Sequence, residues 1–78
     1  MKRGFIITRV RKDNELEYNI KAVLGWLLDK QNEYKLKYLD VAYPSLDQIQ
    51  LLLRGSTRNT VLFAIDFVNK FGTYYTIR

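Results

Sequence analysis

Five consecutive residues, Ser56-Thr57-Arg58-Asn59-Thr60, carry the densest set of hydrogen-bonding groups in the chain. Hydroxyls, an amide and a guanidinium are the groups that bond base edges and phosphate oxygens. If the segment opens a helix, its free backbone N–H groups add a phosphate site that needs no side chain. Lys70 and the basic run Arg9, Arg11 and Lys12 are further candidates for phosphate contact. Catalysis is poorly supplied by comparison. The chain has no histidine and no cysteine, which removes the commonest general base and the thiolate as nucleophile or metal ligand. Asp13, Glu15, Glu17 and Asp29 form the kind of set that charged helix faces produce routinely. The expectation is a binding protein and not an enzyme, with no cofactor and no metal.

With 78 residues there is one domain, spanning 1–78, and a modest core. A hydrophobic share of 47% against 27% charged marks it as globular, and aromatic residues at 14% supply large buried areas to a small core. A net charge of +5 points to an anionic partner, nucleic acid first. Lys2, Arg3, Arg9, Arg11 and Lys12 fall in the first twelve residues with no acid among them. The longest apolar runs, Leu51–Leu53 and Val61–Ile65, are far below the span of about 20 residues a bilayer requires. No membrane partner is expected, and the expected location is the cytoplasm.

The elements that position these residues follow from periodicity. Phe5 to Arg11 is rich in β-branched residues and predicts a strand. Asn14 with Glu17 resembles a capping box and Asn19 is a second cap a turn later. Behind them Leu16, Ile20, Val23, Leu24, Leu27 and Leu28 predict an amphipathic helix to about Gln31, with Trp26 on its flank and Gly25 at a close approach. Lys35 to Tyr43 alternates as a strand with one slip of phase, stopped by Pro44. Ser45 then caps a second helix whose buried face is Leu46, Ile49, Leu52 and Leu53, ending at Gly55 in a left-handed turn. A third helix starts at Ser56 or Thr57 with Val61, Ala64, Ile65, Val68 and Phe71 inward, and Thr73 to Arg78 is a last strand. The predicted order is β-α-β-α-α-β, an α+β domain of three helices and a small antiparallel sheet.

Two short capped helices joined by a glycine turn, the second opening on hydroxyls and a base, have the form of a helix-turn-helix. From Ala22 to Gly72 the chain resembles the winged helix-turn-helix domains of plasmid and phage replication initiators and replisome organisers. The matching pieces are Ala22-Val23-Leu24 with Leu27, Leu28, Asp29 and Asn32, Pro44-Ser45 with Ile49, Gly55 through Val61, Ala64-Ile65 and Gly72. The resemblance implies a double-stranded DNA-binding protein, a transcription or replication regulator, that reads the major groove with the helix starting near Ser56. The chain departs from that pattern in having one strand where a wing has two, and in carrying Leu62, Phe63 and Asp66 on the outer side of the recognition helix.

Each feature has a plainer reading. The Gly55 turn is also the form of an ordinary corner, and Arg9 to Lys12 the form of a solvated edge. The tyrosines Tyr34, Tyr38, Tyr43, Tyr74 and Tyr75 fit core packing with surface hydroxyls better than base stacking. The alternative function is a winged-helix protein-interaction module that binds a protein partner through Leu62 and Phe63. A domain this small gains DNA affinity as a homodimer, through Leu62, Phe63 and the strand edges. Phe5 to Arg11 is expected to pair beside Tyr74 to Ile77, in place of the missing half of the wing.

Overall fold

The structure, a computed structural model, covers residues 1–78. Strand β1 (Lys2–Arg9) is followed by a single helical turn (Glu15–Tyr18) and helix α1 (Ile20–Glu33). Strands β2 (Lys37–Ser45) and β3 (Gln48–Arg54) form a hairpin, after which come α2 (Thr57–Phe71) and β4 (Tyr75–Ile77). The strands make one antiparallel sheet in the order β2-β3-β1-β4. Two helices over four strands in the order β-α-β-β-α-β is the ferredoxin-like, split β-α-β arrangement. It is not a winged helix-turn-helix.

The difference lies in Ser45 to Arg54. Leu46, Ile49, Leu52 and Leu53 fit a helical spacing, but Ile49, Leu51 and Leu53 equally fit period two, and a short apolar run does not separate the two. The distant β1 decides it. Phe5 pairs with Leu51 and Ile7 with Ile49 across the sheet, and all four side chains are buried. With that helix gone there is no helix-turn-helix, and the helix that opens at Ser56 packs on a sheet. Pro44 does not stop β2 but sits inside it, where the register shifts between Ala42 and Ser45 at the sheet edge. The expected slip of phase in this strand is present between Tyr38 and Asp40. Pairing of the N-terminal strand with the last one also holds, Ile7 opposite Ile77 and Arg9 opposite Tyr75.

Both helices cover one face of the sheet. Phe5, Ile7, Ile49, Leu51, Leu53 and Tyr75 point into the core from the strands, and Val23, Leu27, Phe63, Phe67 and Phe71 from the helices. In α2 the buried positions are Thr60, Phe63, Phe67 and Phe71, with Val61, Ile65 and Val68 exposed. The helix is therefore rotated from the expected phase, because burying three phenylalanines removes more apolar area from water than burying three aliphatic residues. Phe63 is 0% exposed, so it offers nothing to a partner. Trp26 is half-buried and packs against the core, its ring 5.6, 5.5 and 5.7 Å from Phe63, Phe67 and Phe71. Gly25 has no close neighbour.

Caps and turns set the helix starts. Asn19 accepts the Ala22 N–H at 2.9 Å and opens α1. Asn14 instead adopts a left-handed backbone, φ 59°, and makes no cap bond. Ser56 accepts the Asn59 N–H at 3.1 Å and opens α2 as expected. Ser45 caps no helix; its hydroxyl accepts the Asp47 N–H at 3.3 Å in the hairpin turn. Ser56→Ala is thus expected to lower stability by about 1 kcal/mol, and Ser45→Ala by less than about 0.5 kcal/mol. Urea unfolding of the two variants checks the order. Gly55 is not left-handed, since no glycine has a positive φ. Its constraint is space, because a Cβ there would lie 2.5 Å from Leu36 Cδ2. Leu36 is itself buried, so Gly55→Val is expected to cost about 1–3 kcal/mol through overpacking. An unchanged thermal midpoint would contradict this packing.

Candidate nucleic-acid interface

Strand direction divides the charges between two ends of the molecule. At one end β1 and β2 begin, β3 finishes and α2 opens. There Lys2 pairs with Arg54 across β1 and β3, and Arg54 with Lys37 across β3 and β2. Leu53 and Phe5 point into the core, so Lys2, Arg54 and Lys37 stand on the face without helices, and all three are exposed. With strands about 4.8 Å apart, the row is about 10 Å wide. Like charges directly opposite one another destabilise a sheet, so the row is an unfavourable arrangement until an anion joins it. Arg3, Lys35 and Arg58 flank the same end. Lys35 holds a left-handed backbone, φ 53°, in the turn from α1 into β2.

None of these six cations is in an ion pair. Every ion pair of the protein uses Arg9, Arg11, Lys12 or Lys30. At the opposite end, where the hairpin and the helical turn lie, Arg9, Arg11 and Lys12 are all paired with acids. Arg11 binds Asp13 in a two-pronged contact at 2.8 and 2.7 Å, which holds the Asp13 carboxyl below its ordinary range. Lys12 lies 3.3 Å from Asp47. The Arg9 side chain, 8% exposed, lies 3.6 Å from Glu15 and 3.8 Å from Asp47, with its guanidinium over the Tyr75 ring. Arg9 clamps the helical turn to the hairpin, and is not presented to a phosphate.

The residues singled out in the sequence are therefore not one site. Ser56 caps α2. Asn59 donates from Nδ2 to the Tyr34 carbonyl at 3.1 Å, and buried Thr60 donates from its hydroxyl to the Ser56 carbonyl at 2.8 Å. Thr57 stands exposed beside Met1. Arg58 is the charged member of the group, exposed at the basic end, while Lys70 lies at the other end of α2. Lys37 and Arg54 were not singled out in the sequence, and Lys2 only as part of the basic N-terminal stretch. Their signal was available in principle, as the polar partner at the end of each alternating strand, but their juxtaposition exists only once three strands are in register.

Asp66 does not face a partner. It accepts a hydrogen bond from the Tyr34 hydroxyl and lies 3.7 Å from the Lys30 ammonium, between the two helices. The Asp66 carboxylate pushes the Tyr34 hydroxyl up to about 12. Glu33, bonded at 3.0 and 3.2 Å, and then Asp66 raise Lys30 above its ordinary value. A raised tyrosine pKa gives stability that is fully present below the ordinary value of 10.0 and is lost as pH rises through about 12. Tyr34→Phe is accordingly expected to be less stable than wild type at pH 8, with the difference closing by pH 12. Urea unfolding of both proteins at the two pH values measures it. Tyr38 is raised further by burial, and its hydroxyl donates to the Leu27 carbonyl.

The helix-free face between the charged row and β4 is a shallow concavity lined by Gly4, Ile6, Asp40, Gln50, Leu52 and Arg78. No helix of the protein is long and apolar enough to cross a membrane. Comparison with protein-family models, with curated proteins and with solved structures gives no match.

Proposed function

We propose that the protein binds double-stranded DNA in the cytoplasm through its phosphate backbone, without reading base edges, using the row Lys2, Arg54 and Lys37 with Arg58 beside it. The observation that carries this reading is the row itself: three exposed cations held opposite one another across adjacent strands, with no carboxylate paired to any of them. A polyanion with regularly spaced charges relieves their mutual repulsion, and phosphate contacts of this kind carry no sequence information. Single strands fit less well. Proteins that hold them stack bases on aromatic side chains, and beside the row the helix-free face presents Gly4, Ile6, Thr8, Asp40, Ala42, Gln48, Gln50, Leu52 and Thr76 from its four strands, none of them aromatic.

Fluorescence anisotropy with a labelled duplex between 50 and 200 mM salt tests the reading. Four phosphate contacts give a slope of log K against log salt of about −3.6. Comparable affinity for unrelated duplexes is expected. A flat salt dependence, or a preference for single strands over duplex, would overturn it.

A further inference from the structure

We infer that the flank formed by α2 and β4 is a self-association surface, on which two copies join β4 to β4 across a two-fold axis. Three observations meet there. First, Val61, Ile65 and Val68 lie 44%, 50% and 53% exposed along one side of α2. All three are β-branched, a costly choice at solvent-facing helix positions where Ala, Lys or Glu would serve better. Ile65 and Val68, with Ala64, Asn69 and Ile77, line one shallow, mostly apolar groove, and Val61 lies one turn before Ile65 on the same side.

Second, the groove runs beside an open strand edge. Ile6 and Arg78 exchange backbone hydrogen bonds at 2.9 and 3.0 Å, and antiparallel pairing alternates, so the N–H and C=O groups of Tyr75 and Ile77 point away from β1. An unpaired edge of this kind is a template for another strand. The opposite edge of the sheet differs: β2 carries Pro44 and two register shifts, features that blunt an edge.

Third, the residues lining the groove, Ala64, Ile65, Val68, Asn69 and Ile77, are all uncharged in a protein of net charge +5. A strongly anionic partner finds nothing to pair with there, and a two-fold copy meets no repulsion. The occupant must bring a free antiparallel edge and an apolar helix flank in one fixed relation. A second copy of this chain supplies both by symmetry. Tyr75 of each copy then exchanges two backbone bonds with Ile77 of the other, the α2 helices pack side by side, and the sheets join into one of eight strands. Both basic rows lie on the same helix-free face of that sheet.

The test needs no DNA, so its outcome is independent of the function proposed above. Sedimentation equilibrium of the wild-type protein is expected to give twice the monomer mass. Ile65→Glu and Ile65→Lys are each expected to sediment as monomers with unchanged circular dichroism, because like charges then meet at the axis. Mixing the two variants restores the dimer. Leu46→Glu, at a hairpin residue 90% exposed, leaves the dimer intact. A wild-type monomer up to millimolar concentration, or Ile65 variants that dimerise as wild type does, overturns the inference.

Discussion

A Lys37→Ala/Arg54→Ala variant is expected to bind duplex DNA about 10–30 times more weakly than wild type at 100 mM salt, with the salt slope reduced by about 2. The two side chains sit in neighbouring strands of one exposed row and have no carboxylate partners. Removing them takes away phosphate contacts and no internal bond. The same variant is expected to melt at or slightly above the wild-type temperature, because like charges opposite one another are relieved. Arg11→Ala/Lys12→Ala removes the same formal charge from the opposite end, where both residues are already bound to Asp13 and Asp47. Its affinity is expected to change less than about twofold, since a partnered surface cation contributes little phosphate attraction. Equal losses for the two double variants would mean that net charge, and not the row, governs binding.

The largest effect on stability is expected from Phe67→Ala. Phe67 is 0% exposed, and its ring lies 5.5 Å from Trp26 and 5.1 Å from Phe71. Truncating a buried phenylalanine costs about 3–5 kcal/mol, against a total stability of about 4–12 kcal/mol for a chain of this size. The variant is expected to be largely unfolded at 37 °C by circular dichroism. In the Ile65→Glu background, which removes the self-association inferred above, Val68→Ala, one residue on and half exposed in the single chain, is expected to change stability by less than about 0.5 kcal/mol. The contrast also tests the helix phase, because the orientation expected from sequence would make Val68 the costly position.

Local signals located most of the elements. The strand at the N-terminus, the helix beginning at Asn19, the bulged strand before Pro44 and the helix capped by Ser56 are all present, each marked by a cap, a break or a clear period. Two decisions depended on distant partners. Gln48 to Arg54 is a strand because β1 lies beside it, and three consecutive leucines leave its period ambiguous until that neighbour is known. In α2, valines and isoleucines outline one apolar side and phenylalanines another, and the core takes the larger side chains. Once the hairpin replaced a helix, the reading of Ser56 to Thr60 as a groove-facing cluster lost its geometry. The basic run at Arg9, Arg11 and Lys12 looked available because Asp13, Glu15 and Asp47 lie outside it in sequence, although they fold back onto it. Conversely, Lys2, Lys37 and Arg54 are unremarkable one at a time and become a row only through register.

Titration of isotope-labelled protein with a 20-base-pair duplex, followed by amide chemical shifts, tests the central claim most directly. Shifts are expected to move at Lys2, Lys37, Arg54 and Arg58 and to stay still from Arg9 to Asp13 and at Lys70. Movement at Arg9 to Asp13 and Lys70, with the row silent, would contradict it.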